Sequence, residues 1–294
     1  MDDGAAELLN LLEIERLEKD MFRGLGSGGE TNKRIYGGQV IAQALAAAYG
    51  TVDEDRLCHS LHAYFIRAGD PSIPVIYQVD RSRDGGSFTT RRVVAIQHGR
   101  QILNMAASFQ VVEGGWDYQH PMPDVPAPET LLSRDELRRK NVDRIPEALR
   151  ADFLRPRPID YREVDPRDLF DPAPASDVNH MWFRMQGAKG ASAAMQHCLL
   201  AYASDMNLLG SSLRPHGLTW FKPRQMTASL DHAMWFHAPI HFENWHLYSM
   251  DAPFTGGARG FNRGSIFTED GVLVASVAQE GLMRPLKPRP KESS

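Results

Sequence analysis

Cysteine is nearly absent: only Cys58 and Cys198 occur, far apart and in the apolar settings "RLCHSLH" and "QHCLLAY". With no CxxC pair, the sequence predicts two buried free thiols in a reducing compartment rather than a disulfide framework. Long hydrophobic runs are missing too. No stretch approaches the roughly 18 apolar residues of a membrane-spanning helix. The N-terminus "MDDGAAELLNLLEIERLEKD" is acidic at its start and then helical in pattern, whereas a secretory signal starts basic. Charge of one sign is scarce: 33 Lys and Arg against 37 Asp and Glu give a formal net charge of -4, too mild for a nucleic-acid partner. No G-x-S-x-G elbow is present, which removes the usual serine hydrolase. The pairs His59 and His62, His232 and His237, and His241 and His246 lack zinc spacing, so packing or structural hydrogen bonds are expected of them and no metal. No cofactor is expected either. "GLGSGG" (24 to 29) spells G-x-G-x-x-G, but the preceding "IERLEKDMFR" reads as a charged helix where a dinucleotide site needs a strand, so a flexible loop is predicted. The chain ends "KESS" and not Ser-Lys-Leu, and a cytoplasmic location is the expectation.

Proline is plentiful and unevenly spread. Ten of the 19 fall between Pro121 and Pro174, a density that suits extended connecting backbone. Within it, "SRDELRRKNVDRIPEALRADFL" (133 to 154) reads as a charged helical hairpin or broken helix. The chain accordingly divides into an N-terminal unit (1–115), a proline-rich linker with a helical segment (116–176) and a C-terminal unit (177–294). The two units echo each other. Ser60 to Gln110 and Ser229 to Gln279 are both 50 residues, and Arg92 and Arg263 follow the glycine pairs Gly85-Gly86 and Gly256-Gly257. Such self-similarity points to duplication. Each unit has an apolar helix, "GGQVIAQALAAAYG" (37 to 50) or "ASAAMQHCLLAYASDMN" (191 to 207), followed by β-branched and aromatic runs separated by glycines. A helix followed by a strand meander, twice over, predicts an α+β fold with helices packed on curved antiparallel sheet.

Ala194, Cys198, Ala201, Asp205 and Leu208 recur at helical spacing, so Asp205 lies in line with an apolar stripe. An aspartate near a helix end can cap a following turn. A carboxylate in an apolar cleft is also raised in pKa by several units through desolvation, a larger effect than the 0.3–1 kcal/mol of an opposing helix dipole. Such an acid suits general-base chemistry. The first helix has no counterpart, since nothing from Tyr36 to Val52 is acidic. If Asp205, Ser229 and Gln279 meet, the duplicated chain has a single catalytic set, and its first half supplies walls.

"RIYGGQVIAQAL", "LHAYFIRAGD", "YASDMN", "PHGL", "SLDHAMWFH", "ARGFNRG" and "DGVLVASVAQEGLMR" resemble the type II acyl-CoA thioesterases, from about Leu8 to Arg284. The resemblance implies a double hotdog, an acyl-CoA substrate hydrolysed to free acid and CoA, and self-association as a homodimer or homotetramer. It also implies a catalytic Asp, a Thr or Ser, and a Gln. These map onto Asp205 of "YASD", Ser229 two places before "DH", and Gln279 of "VAQEG". Backbone N–H groups at the glycine-flanked start of a central helix, at Gly37 and Gly38, are candidate oxyanion donors. Arg91, Arg92, Arg259 and Arg263 are candidate contacts for the CoA phosphates. Two alternatives share the fold: a non-catalytic acyl-CoA-binding protein, and a hotdog enoyl-CoA hydratase. The second pairs Asp with a nearby His, and "SDMNLLG" has no histidine until His216.

Overall fold

Helices without a polar face are stable only when other parts of the chain cover them on every side. The computed structural model describes residues 3–26, 34–220 and 225–286 and shows that covering. Its helices are α1 (Asp3–Leu12), α2 (Gly37–Tyr49), α3 (Arg134–Asn141), α4 (Glu147–Phe153), α5 (Ala193–Ser204) and α6 (Gly210–Leu213). The strands are β1 (Glu15–Glu18), β2 (Met21–Gly24), β3 (Arg56–Phe65), β4 (Val75–Asp84), β5 (Phe88–Gln97), β6 (Arg100–Val111), β7 (Asp160–Glu163), β8 (Asn179–Arg184), β9 (Gln225–Ser229), β10 (Asp231–Phe236), β11 (His246–Gly256), β12 (Arg259–Thr268) and β13 (Leu273–Pro285). They form one sheet in the order β1-β2-β4-β5-β6-β3-β10-β13-β12-β11-β8-β7, with β9 on β13. The two halves of the sheet join where β3 pairs antiparallel with β10, Tyr64 opposite Asp231 and Ser60 opposite Trp235. This is the α+β double hotdog that the sequence predicts: α2 in one half, α5 in the other.

Both central helices are almost wholly buried, α2 from Gly38 to Leu45 and α5 from Gln196 to Ala201. They run antiparallel. Tyr36, at the start of α2, bonds the carbonyl of Tyr202 near the end of α5, while Tyr49 at the other end of α2 bonds His197 Nδ1 at 2.7 Å. A Cβ on Gly38 would collide with the Tyr202 carbonyl oxygen, so only glycine lets the two backbones come this close.

Several expectations need correction. The N-terminal helical pattern continues only to Leu12; residues beyond it form the β1–β2 hairpin, because β2 adds to the exposed edge of β4 and tertiary pairing outweighs weak helical preference. A strand therefore does precede "GLGSGG", but it pairs antiparallel and belongs to no βαβ unit; residues 27–29 of that motif lie outside the described residues. The apolar stripe of α5 ends at Asp205, since the helix stops at Ser204 and Asn207 turns the chain with φ 65°. The 50-residue echo also slips within the strands. Arg92 and Arg263 do correspond, each opposite an aspartate (Asp80, Asp251). Gln279, however, lies opposite Asn262, next to Arg263, whereas Gln110 lies opposite Phe88, four residues from Arg92. Equal spacing along the chain does not guarantee equal register when the connecting turns differ.

Both cysteines are free and buried, and burial pushes the Cys198 thiol up to about 12. The connection contains a 3-10 turn (Pro128–Thr130), α3, a second 3-10 turn (Val142–Arg144) and α4, followed by β7, which extends the sheet beside β8. Around it, Trp182, Trp245, Leu247 and Phe267 form a second small core with Met122, Val125 and Leu131 from the connection.

Candidate active site

Asp205 is the C-cap residue of α5. The preceding helix end would ordinarily repel its charge through unpaired carbonyls. Here those carbonyls are occupied: Ser204 Oγ donates to Ala201 O, Tyr36 to Tyr202 O, the Met206 N–H to Ala203 O, and Tyr248 to Ser204 O. The carboxylate also reaches the opposite pole of the neighbouring helix. The Gly38 N–H, in the first turn of α2, donates to Asp205 Oδ2 at 2.9 Å. Gln279 Nε2, from β13, donates to Oδ1 at 2.7 Å. Two direct bonds to a charged group, about 1.5–3 kcal/mol each, outweigh the residual dipole cost. The turn-cap alternative thus gives way to a cap on a different helix. The corresponding C-cap of α2 is Gly50, so the first half of the pseudo-symmetric pair has no carboxylate there.

The amide of Gln279 can face only one way. Two oxygens 2.7 Å apart would repel, so Nε2 must be turned to Asp205. Its second hydrogen meets His232 Nδ1 at 3.1 Å, and His232 Nε2 lies 2.9 Å from Ser204 Oγ. An amide nitrogen only donates, so His232 Nδ1 accepts and its Nε2–H donates to Ser204. Burial lowers the His232 pKa, against an opposing pull from Asp205, and keeps the ring neutral in this role. Gln279 Oε1 is left buried with no partner among the described residues. Burial, reinforced by the Asp205 charge, pushes the Tyr36 and Tyr248 hydroxyls up, so both serve as neutral donors.

Of the residues picked out by sequence, the fold brings Asp205 and Gln279 into direct contact. Ser229, at the end of β9, sits opposite Gly281 on β13 and so shares a sheet face with Gln279 two residues away. Its hydroxyl makes no hydrogen bond among the described residues. Gly38 commits its N–H to Asp205, whereas the Gly37 N–H at the start of α2 has no partner among the described residues. A side chain at Gly37 would lie 2.8 Å from Asp205 Oδ2 and 3.0 Å from the Phe65 ring. Sequence reasoning missed His232, Ser204, Tyr36 and Tyr248. His232 stands in "SLDHAMWFH", a stretch already recognised, but it lies 27 residues beyond Asp205 and only strand pairing brings it near.

The candidate phosphate contacts fare differently. Arg91 is buried and holds the Thr51 hydroxyl, Asp84 and the backbone carbonyls of Thr51, Arg83 and Thr90, so it is structural. Arg259 pairs with Glu280 at 2.8 Å and Arg263 clasps Asp251 with two bonds of 2.9 and 2.6 Å, so each half-exposed cation lies beside a carboxylate. Arg92 is exposed on β5. Of the histidines set aside as structural, His59 bonds the Ser108 hydroxyl, His237 the Ser276 hydroxyl and His246 the Asn244 carbonyl. No group of three His, Cys, Asp or Glu able to hold a metal ion occurs among the described residues.

A family model described as "Acyl-CoA thioesterase" matches residues 155–282, and one described as "Acyl-CoA thioesterase N-terminal domain" matches 28–110. The chain is 37% identical to "Acyl-CoA thioesterase 2" of Haemophilus influenzae, covering 97% of this chain and 99% of that protein. It is 42% identical to human "Acyl-coenzyme A thioesterase 8", covering 96% of this chain and 90% of the other. Among solved structures, acyl-CoA thioesterase II TesB2 from Mycobacterium marinum superposes with a TM-score of 0.77 at 39% identity, covering 95% of this chain and 98% of that one.

Proposed function

Since the chain belongs to the acyl-CoA thioesterase family, we propose that it hydrolyses fatty acyl-CoA to free acid and CoA by attack of a water that Asp205 deprotonates. The observation that carries this reading is the carboxylate held between the first turn of α2 and the Gln279 amide. Each carboxylate oxygen spends one lone pair on its donor and keeps another for the water. Gln279 Oε1 and Ser229 Oγ, on the same sheet face, serve as the water's further partners. The water oxygen adds to the thioester carbonyl as its proton passes to Asp205. The oxyanion is stabilised by the Gly37 N–H at the positive end of α2. Collapse breaks the C–S bond; CoA leaves as a thiolate, a competent leaving group near a thiol pKa of about 8.5. No covalent acyl-enzyme is involved.

The hydratase reading requires an Asp and a His facing one ligand. His232 is fully buried with both ring nitrogens engaged, which favours hydrolysis. No helix among the described residues is long and apolar enough to cross a membrane. A cytoplasmic place of action is proposed as part of the thioesterase reading. Its oligomer, a homodimer or homotetramer, uses the outer sheet face at the junction of the halves, where Tyr64 and Trp235 are exposed. Thiol release from acyl-CoA tests the activity. Steady CoA production is the expected result; tight binding without turnover, or hydration of an enoyl-CoA alone, overturns it.

A further inference from the structure

With Arg91 structural, Arg259 and Arg263 each beside a carboxylate, and Arg92 a single exposed cation, the sheet candidates form no cluster of cations for the polyanionic leaving group among the described residues. A cleft of roughly 950 Å³ lies between α1, α3 and the segment joining α4 to β7. That volume is in the range that holds a large small-molecule ligand. Its inner wall includes Ala5, Leu8, Leu11, Tyr36, Tyr202 and Met206. Tyr36 and Met206 directly adjoin Gly37 and Asp205 in the chain, so the apolar end of the cleft abuts the proposed reaction centre.

The remaining lining is strongly basic: seven arginines against four carboxylates. Each carboxylate is engaged. Asp135 pairs with Arg138, Asp160 with Arg162 and Glu7 with Arg155, while Glu136 closes the capping box of α3 with Ser133. Some arginines are committed to structure: Arg134 to Glu163 and the Tyr161 ring, Arg184 to the Trp245 ring. Arg139 and Arg157 make no ion pair among the described residues, and Arg155 reaches Glu7 only at 3.8 Å. Burial, together with the like charges of Arg157 and Arg134, lowers the pKa of Arg138. Cations gathered this way, with few counter-charges of their own, mark a place for a ligand's anions.

We propose that this cleft is the CoA subsite, with Arg138, Arg139, Arg155 and Arg157 contacting the pyrophosphate and 3′-phosphate and the pantetheine arm running inward past Tyr36 and Tyr202. The inference rests on the thioesterase reading and locates its substrate's nucleotide on the inter-unit connection rather than on the sheet. The test compares acyl-CoA with the matching S-acyl-pantetheine, which lacks the nucleotide, in the full-length wild type and in the double variant Arg139→Gln/Arg157→Gln. The expected result is that the ratio of kcat/KM for acyl-CoA over acyl-pantetheine falls about tenfold or more in the variant, through KM. A ratio unchanged within about twofold while the wild type turns over acyl-CoA overturns the subsite and leaves the thioesterase reading standing. Calorimetric titration with CoA separates the reverse case. CoA that binds a catalytically silent wild type, and binds the variant about tenfold more weakly, supports the subsite and sinks the thioesterase reading.

Discussion

At the scale of single residues, the site depends on how Gln279 is turned. If His232 acts by accepting from the Gln279 amide, the relevant feature is its Nδ1 position. Asparagine can place an acceptor there, and leucine cannot. His232→Leu is therefore expected to lower kcat about tenfold or more with KM little changed, and His232→Asn to recover most of it; steady-state kinetics of both variants checks this. A purely structural role would damage both variants alike. For Ser229, Ser229→Ala is expected to cost about tenfold in kcat, while Ser229→Thr keeps the hydroxyl and stays within a few-fold of wild type in the same assay. Asp205 was legible in the sequence because a lone acid in an apolar helical stripe is costly and calls for a reason. Its caps were not, because Gly38 lies 167 residues away and His232 meets Gln279 only across paired strands.

At the scale of elements, the antiparallel contact of α2 and α5 sets the geometry. Gly38→Ala would push a methyl group into the Tyr202 carbonyl and force the helices apart. A loss of about 1–3 kcal/mol in denaturant unfolding is expected, with activity falling alongside. Gly37→Ala instead crowds the carboxylate and Phe65, so kcat should fall more than stability does. Both helices were readable from their alanine content, and α2 also from the glycines that frame it. The β1–β2 hairpin was not, because "IERLEKDMFR" has a locally helical pattern and becomes strand only by completing the edge of β4. Register failed for a related reason. The 50-residue interval is a property of the chain, and pairing depends on where each turn places the strands.

At the scale of the whole molecule, two buried histidines in aromatic surroundings couple stability to pH. His197 stacks on Phe236, and His246 lies against Phe183 and Phe242. Burial pushes each down to about 4. In the unfolded chain they titrate near 6.5, so between these values the unfolded state binds more protons than the folded one. Stability is thus fully present above about pH 6.5 and is lost as pH falls toward 4, by up to roughly 3 kcal/mol per histidine. Chemical unfolding at pH 7.5 and pH 5 should show this difference, and His246→Phe should reduce it.

Duplication explains why one chain suffices: α2 and α5 form the helix pair, yet only one end of that pair holds an acid, Asp205 rather than Gly50. The fold class and the acid were therefore visible from residue types, whereas the arginine-lined cleft was not, because it forms from a connection that reads as linker. The most direct test of this single-site account is the turnover of Asp205→Asn, a change that keeps size and one of the two accepted hydrogen bonds, sets an NH2 against the other donor, and removes the base. A fall in kcat of about 10² to 10⁴ in a protein that still folds, its melting point lowered only modestly by the lost bond, is the expected result. Near wild-type CoA release from that variant would contradict it.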